Sequence, residues 1–326
     1  MKKVLTLTLV LAGMVACTND TIVNKPTDEI AFAPAFVEIK TRAAVDPSIT
    51  TATIDAFDVW GFMDNTSGVV FDGERVSKGA DGWSYEDLQY WAPGHNYYFG
   101  AIAPVDHNNI TVTTSTTKPG LGKVTFTNID GSDDLIYASK EVITPDPITA
   151  TPENVKLQFA HLLSKIKFTF TNGFANKNAT IKVTNIQITD APKTGSIDLA
   201  QEGYAWSTTN DKVTLSFGDG DKGNTIEQGK SVESDLELLT IPTDNTYTYN
   251  VSFDVELFMG NASALTATKT TTIENQELKI GKNYNFKATL NHTNINNDGE
   301  LCPIVFEVIE VKNWVEETQA NTDLTL

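Results

Sequence analysis

Apolar and polar residues alternate with a period of two over much of the second half of this sequence. The longest run places an apolar side chain at every second position from Tyr247 to Met259. Four shorter runs follow the same rule: Val155, Leu157 and Phe159; Ile166, Phe168 and Phe170; Tyr284, Phe286, Ala288 and Leu290; Ile304, Phe306 and Val308. Since successive side chains of a strand point to opposite faces, this pattern predicts antiparallel sheets with one face on a core.

The first half contains shorter strand-like runs separated by turn residues. The run 54–62 is rich in apolar residues, and the run 97–103 is apolar at nearly every position, which predicts a strand buried on both faces. Prolines between residues 144 and 152 indicate a linker. No stretch has the 3.6-residue period of a long helix. The sequence therefore predicts an all-β protein with two β-sandwich domains, divided as follows: a signal segment at 1–17, a tether and strand at 18–42, and domains at 43–152 and 153–326.

Charge and composition narrow the class of partner. The 326 residues include 24 basic and 42 acidic side chains, a formal net charge of −18. Nucleic-acid affinity depends on lysine and arginine at phosphates, and anionic lipid surfaces attract basic segments, so neither nucleic acid nor electrostatic docking on lipid is expected. The 44 threonines suit a pleated surface better than a helix.

The N-terminus has the pattern of an export signal. Lys2 and Lys3 precede the apolar run 4–12, which is too short to span a bilayer. The residues that follow, Met14-Val15-Ala16-Cys17, resemble the lipobox of bacterial lipoproteins, in which the cysteine thiol is acylated and the signal is removed in front of it. An ordinary signal peptide with a chance cysteine is the alternative. Cys302, the other cysteine, is interpreted as a small buried hydrophobe.

Residues with catalytic or metal-binding chemistry are scattered. The four histidines, His95, His107, His161 and His292, show no metal-ligand spacing, and the acidic loop at 219–224 lacks the glycine and the glutamate of a calcium loop. The sequence therefore predicts no enzyme, no metal and no cofactor. Its tryptophans are expected mainly in cores or at their rims. An alternative function, a surface glycan-binding lipoprotein, would use exposed tryptophans such as Trp83 and Trp91 as stacking platforms.

A strand-like segment ahead of a single arginine is the most distinctive feature. Its apolar residues are Ile30, Phe32, Phe36, Val37 and Ile39, and Pro34 within it predicts a position at a sheet edge. At roughly 1.5–3 kcal/mol for each buried side chain, they would contribute about 8–15 kcal/mol. Proteolysis between Arg42 and Ala43 would release this segment and expose an apolar groove that recruits another strand. The alternative is a linker that happens to contain one arginine.

Several short motifs, in order, resemble the fimbrillin family, the lipoprotein-precursor pilins of type V fimbriae. They are the lipobox at Cys17, Thr41-Arg42-Ala43, Phe57-Asp58-Val59-Trp60-Gly61-Phe62, Tyr90-Trp91-Ala92-Pro93, Tyr97-Tyr98-Phe99-Gly100-Ala101-Ile102-Ala103-Pro104, Asp134-Leu135-Ile136-Tyr137-Ala138, residues 155–165, Gly281-Lys282-Asn283-Tyr284 and residues 308–314. The resemblance implies two tandem transthyretin-like, Greek-key β-sandwich domains. It also implies an outer-membrane lipoprotein that is trimmed after Arg42 by an Arg-specific protease. Residues 30–40 would then be the displaced strand, and other fimbrial subunits would be partners through strand exchange.

One part of the chain departs from the family pattern. A stalk subunit is expected to carry an apolar C-terminal strand for donation, whereas residues 316–326 are short and polar. The resemblance therefore favours a tip or accessory subunit with an adhesive role, located at the outer membrane and in the fimbria after processing. The sequence identifies no receptor.

Overall fold

The computed structural model describes residues 29–37, 54–64, 68–80, 82–150, 152–295 and 303–313, and these residues form an almost purely β structure. The predicted all-β class is confirmed. The first nine strands are β1 (Phe36–Val37), β2 (Ala56–Met63), β3 (Val69–Gly79), β4 (Gly82–Ser84), β5 (Asn96–Ala103), β6 (Ile110–Thr114), β7 (Leu121–Thr127), β8 (Ile136–Ile143) and β9 (Gln158–His161).

The second part of the chain adds eleven strands and two very short helices. The strands are β10 (Ser164–Asn172), β11 (Ala179–Pro192), β12 (Thr194–Asp198), β13 (Trp206–Thr208), β14 (Lys212–Gly218), β15 (Ser231–Glu233), β16 (Leu238–Thr240), β17 (Tyr249–Met259), β18 (Ala262–Ile273), β19 (Lys282–Leu290) and β20 (Glu307–Asn313). A 3₁₀ turn spans Asp221–Gly223 and α1 spans His292–Ile295.

The largest sheet has seven strands in the order β1-β9-β8-β5-β2-β3-β4. Its central strand β5 is buried on both faces, as its sequence predicts. One face, with Tyr97, Phe99 and Ala101, belongs to what we call the first core. This core also contains Ile30, Phe32, Ala35, Phe57, Val59, Phe71, Val76, Trp91, Ala103, Ile136, Ala138, Val155, Leu157 and Phe159.

The opposite face of the seven-stranded sheet packs on a smaller sheet of order β13-β12-β7-β6. Between them lies the second core: Trp60, Ile102, Leu121, Val124, Phe126, Leu135, Tyr137, Leu162, Leu163, Ile197, Leu199, Leu239 and Ile241. The small sheet is assembled from both halves of the chain, since β12 pairs with β7 from Thr194–Thr127 to Asp198–Lys123.

The strand pairing therefore crosses the domain boundary expected at residue 152. β9 lies beyond that residue but pairs with β8, and the β12–β13 hairpin completes a sheet begun by β6 and β7. A period of two indicates which side chains share a face of a strand, but it does not indicate which strand is the neighbour.

The remaining strands form a sandwich of two facing sheets. One has the order β15-β10-β19-β20, with β16 also on β10, and the other has the order β14-β11-β17-β18. Their inner faces meet in the third core, where Phe168 contacts Phe217 and Phe170 contacts Phe253, each with ring centroids 4.8 Å apart.

The long alternating run from Tyr247 to Met259 faces the third core over most of its length. Tyr249, Val251, Phe253 and Val255 are buried in the third core. Met259, beside the turn into β18, is 40% exposed, and Leu257 and Tyr247 are half-buried. Six of the seven predicted inward positions therefore face the third core, and Met259 is exposed because the strand end extends to the rim of the sandwich.

Asn128 joins the two halves by buried hydrogen bonds. Its side chain is 2% exposed, its Nδ2 donates to the Leu239 carbonyl at 2.9 Å, and its Oδ1 accepts from the Gly131 N–H at 2.8 Å. Its own N–H donates to the Lys193 carbonyl at 2.6 Å. A buried amide with these partners fixes the two halves against each other, because breaking any one of the bonds leaves a buried polar group unpaired.

The seven-stranded sheet and the small sheet are in close contact at Gly100. A Cβ added there would lie 2.6 Å from Leu121 Cβ and 3.3 Å from the Leu121 nitrogen. Gly100→Ala should therefore force the sheets apart and lower the free energy of unfolding by about 1–3 kcal/mol. Chemical unfolding followed by circular dichroism measures this. The matched control is Gly79→Ala, whose Cβ would find only the Gly82 carbonyl at 3.4 Å. Equal stability of the two variants would contradict the prediction.

Candidate functional site

Residues 29–37, which we call the N-terminal segment, are hydrogen-bonded to two separate parts of the first half. The Ile30 N–H donates to the Gln89 carbonyl at 2.9 Å, and Glu29 bridges Tyr90 in an antiparallel sense. On the other side, the Ala33 N–H donates to the Val155 carbonyl at 2.9 Å, and the Val155 N–H donates to the Ala31 carbonyl at 2.7 Å. The segment thus occupies a groove between residues 89–90 and residues 155–159.

The segment ends as the edge strand of the seven-stranded sheet. β1 runs parallel to β9, with Phe36 opposite Gln158 and Val37 opposite Phe159. Pro34, which has no N–H, is exposed between the two paired stretches. An edge position tolerates such a residue, because the missing donor would face away from the ladder.

The side chains of the segment form part of the first core. Ile30 is fully buried, and Phe32 is 3% exposed. The Phe32 ring packs edge-on against Phe57, Phe71, Tyr85 and Phe99, with centroids 5.6, 5.7, 5.8 and 6.3 Å away. Burying Ile30 and Phe32 contributes on the order of 3–6 kcal/mol together.

Tyr85 adds a polar contact at the floor of the groove. Its hydroxyl donates to the Ile30 carbonyl at 2.6 Å and accepts from the Gln89 N–H at 3.2 Å. Burial raises the pKa of the Tyr85 hydroxyl, so it remains a donor at neutral pH. The sequence pattern does not single out Tyr85, because the residue lies in a loop without periodicity.

The structure describes some of the site residues predicted from sequence and not others. Ile30 and Phe32 are buried in the first core, and Phe36 and Val37 form β1. Ala33 and Ala35, which are buried beside them, had no strong hydrophobic signal because their side chains are small. Cys17, Ile39, Arg42 and Ala43 lie outside the described residues.

The two tryptophans suggested as sugar platforms do not present open ring faces. Trp91 is 4% exposed and packs edge-on against Tyr97, with centroids 4.7 Å apart. Trp83 is half-buried, and its ring lies 5.3 Å from that of Phe57. Both pack at the first core, so a glycan-binding role cannot rest on them.

The histidines and carboxylates of the described residues do not converge on a reaction centre. His161 Nδ1 lies 2.8 Å from Asp134 Oδ2, and His95 Nδ1 lies 3.4 Å from Asp64 Oδ1. Nowhere in the described ranges do three metal-ligating side chains come together in a way that could hold a metal ion. Within those same ranges, no helix is both long and apolar enough to cross a bilayer.

The sequence of this chain matches the model of a known protein family. Residues 41–302, most of the chain, match the family model described as fimbrillin-like. The chain belongs to the fimbrillin-like family. This is a family of structural fimbrial proteins rather than of enzymes. A search of curated protein sequences gave no significant match.

Solved structures of similar fold support the architecture of this fimbrillin-like chain. A fimbrial protein from Bacteroides vulgatus ATCC 8482 is 16% identical, with 88% of this chain and 99% of that one covered and a TM-score of 0.53. A candidate cell adhesion protein from Bacteroides eggerthii DSM 20697 is 15% identical, and the match covers 89% of this chain and 98% of that one with a TM-score of 0.53. Another candidate cell adhesion protein, from Parabacteroides distasonis ATCC 8503, is 12% identical. That match covers 90% of this chain and 99% of the other and has a TM-score of 0.53. At these identities the likeness shows a shared fold.

The ring contacts of Phe32 predict that this side chain contributes to the free energy of unfolding. Phe32→Ala removes a ring that touches four others and should lower the free energy of unfolding by about 3–5 kcal/mol. Urea unfolding followed by tryptophan fluorescence measures the loss. Pro34→Ala, at an exposed position of the same segment, is the control and should change stability by less than about 1 kcal/mol. A Phe32→Ala protein as stable as the control would show that the segment is not part of the core in solution.

Proposed function

We propose that this chain is the precursor of a fimbrial subunit whose N-terminal segment holds the place of a strand from another subunit. In the precursor the segment fills its groove and blocks assembly. Cleavage between Arg42 and Ala43 makes the segment replaceable, and a strand of a neighbouring subunit then enters. The observation that carries the proposal is that a segment just upstream of this bond is buried in the first core and yet paired through short stretches of backbone hydrogen bonds.

The lining of the groove explains why a vacancy would be filled. Without the segment, the rings of Phe57, Phe71 and Phe99 would lose the cover of Phe32, and the N–H and carbonyl of Val155 would lose their partners. Exposed apolar surface and unpaired edge groups together form a template for an incoming strand. A donor strand with apolar residues at alternate positions would restore both kinds of contact.

The arginine content of the chain favours one cleavage site. The sequence contains only two arginines, Arg42 and Arg75. Arg75 lies within β3, opposite Asp58 of β2. Its guanidinium contacts Asp58 at 2.7 Å and Asp106 at 2.8 and 2.9 Å. Hydrogen bonds to Asp106 and Asp58 raise the pKa of Arg75 further above its ordinary value, so the guanidinium is charged and remains bound to these carboxylates while they are ionised. Because Arg75 is held in a paired strand by two carboxylates, Arg42 is the expected site for a protease specific for arginine.

Export and anchoring complete the proposal. Acylation of Cys17 would attach the precursor to the outer membrane, with each buried methylene contributing about 0.8 kcal/mol. Cleavage after Arg42 would break the covalent link of the subunit to that anchor and to the segment in one step.

Arginine-specific proteolysis of the folded precursor tests the first step. We expect a single cut that yields Ala43 as the new N-terminus, read by intact mass and N-terminal sequencing. Arg42→Lys is the matched control, since it keeps the positive charge and removes the cleavage signal. A cut at Arg75 in the native protein, or an uncut Arg42, would contradict the proposed site.

Assembly after cleavage tests the second step. Cleaved chains mixed with other subunits of the fimbria should form bands of higher mass on unboiled gels, whereas Arg42→Lys chains in the same mixture should stay monomeric. Excess synthetic peptide of residues 30–40 should suppress these bands by refilling the groove, and the same peptide with Phe32→Ala should suppress them far less. Cleaved chains that remain monomeric, alone and with other subunits of the fimbria, would overturn the exchange of strands.

A further inference from the structure

A second concave surface lies away from the N-terminal segment, between the edge strand β13 and two loops. The loops are residues 242–247 and 277–282, and the cleft between them and β13 has a volume of about 740 Å³. Ligand pockets in proteins typically span roughly 300–1,000 Å³. We call this surface the hairpin cleft, because the β12–β13 hairpin supplies one of its walls.

Two aromatic residues on the hairpin wall are held in fixed positions. The Trp206 indole N–H donates to the Leu162 carbonyl at 2.8 Å. Its ring lies over Gly195, where an added Cβ would come within 3.1 Å of the indole. Tyr204 is 37% exposed and packs edge-on against Tyr137 at 6.3 Å. Both rings therefore reach the cleft already ordered, so that little rotamer freedom remains to be lost on binding.

The opposite wall is also ordered before any ligand arrives. Asp244 Oδ1 accepts from the Thr246 N–H at 2.9 Å and from the Thr246 hydroxyl at 2.6 Å. The two loops are joined to each other by the Leu278 N–H, which donates to the Thr243 carbonyl at 2.9 Å. The loop 242–247 is thus ordered by the Asp244 side chain, and the backbone bond from Leu278 holds the loop 277–282 against it.

The charges at the rim balance each other, although the chain as a whole carries −18. The cleft is lined by two carboxylates, Asp244 and Glu277, and by two ammonium groups, Lys279 and Lys282. Glu277 and Lys279 form an ion pair at 3.1 Å. A site for a strong anion or cation would show an excess of the opposite charge, so this balance favours an uncharged ligand with many hydrogen-bonding groups.

We propose that the hairpin cleft binds a neutral oligosaccharide. The C–H faces of a sugar ring would pack on Tyr204 and Trp206, whose rings offer apolar surface at the cleft. The sugar hydroxyls would donate to Asp244 and Glu277 and accept from the lysines, since hydroxyls serve both roles. This site is independent of the groove filled by the N-terminal segment and does not require cleavage.

The backbone edge of β13 suggests an alternative ligand for the hairpin cleft, an extended peptide. The Thr209 N–H bonds to the Thr194 carbonyl, and this register directs the backbone groups of Trp206 and Thr208 away from β12. A peptide strand could pair there. However, β13 has only three residues, which gives a short ladder, whereas the ordered rings and charged rim extend over the whole cleft. The geometry therefore favours the saccharide, and the peptide becomes an outcome of the test.

A glycan array probed with the secreted, uncleaved chain tests this proposal. The array carries neutral oligosaccharides of glucose, galactose, mannose and N-acetylglucosamine, with sialylated and sulfated glycans and a set of extended peptides as separate arms. We expect binding in the neutral arm, confirmed by calorimetry on the best neutral glycan. Tyr204→Ala should weaken that binding about tenfold or more through loss of the stacking ring.

Matched variants separate a binding defect from a folding defect. Ile143→Ala removes an apolar side chain that is 71% exposed and lies outside both the hairpin cleft and the groove, so its affinity should equal that of the wild type. Asp244→Asn keeps an acceptor for the Thr246 turn but removes a charge, and it should weaken glycan binding while leaving the unfolding curve in place. Binding confined to charged glycans or to peptides, neutral-glycan binding that Tyr204→Ala leaves intact, or no binding at millimolar glycan would each overturn the proposal.

Discussion

The contact of Phe32 with four aromatic rings is the interaction on which the first half of the molecule depends. The Phe32 ring joins β2, β3 and β5, through Phe57, Phe71 and Phe99, to a segment that is distant from all three in sequence. Cutting the chain at Arg42 would leave every one of these contacts in place. What it would remove is the covalent link, which holds the segment at an effective concentration of the order of millimolar. In the proposed assembly, cleavage therefore does not empty the groove but makes its occupant exchangeable.

The hydrogen bonding of the N-terminal segment suits an occupant that must later leave. Its pairing with residues 155–159 is parallel and interrupted at Pro34, and β1 is only two residues long. Parallel pairing is slightly less stable per residue than antiparallel pairing, and proline contributes no donor. The stability of the segment thus comes mainly from buried side chains rather than from a ladder. An incoming strand that offers similar side chains and a continuous ladder would bind more tightly, which gives the exchange a direction.

The sequence predicted what depends on local alternation and missed what depends on distant partners. The buried faces of β10, β17 and β19 follow directly from a period of two, and the burial of Ile30 and Phe32 follows from their apolar character within a strand-like run. The pairing of β12 with β7 had no local signal, because the hydrophobicity of Ile197 fits any core. For the same reason the sequence could not distinguish Trp91, buried at the first core, from Trp206, half-buried at the hairpin cleft. Exposure of a tryptophan is decided by which elements pack around it.

The β12–β13 hairpin connects the two halves in a way that a simple linker would not. One face of the hairpin places Ile197 in the second core, and its Trp206 binds the carbonyl of Leu162, within the link from β9 to β10. The same link is held by the Leu162 N–H on the Leu135 carbonyl and by the Gly281 N–H on the Leu163 carbonyl. Two sandwiches joined only by a flexible chain would bend under tension, whereas this junction is buried and bonded from three sides. Because Trp206 also lines the hairpin cleft, a ligand bound there would rest directly on this buried and hydrogen-bonded junction.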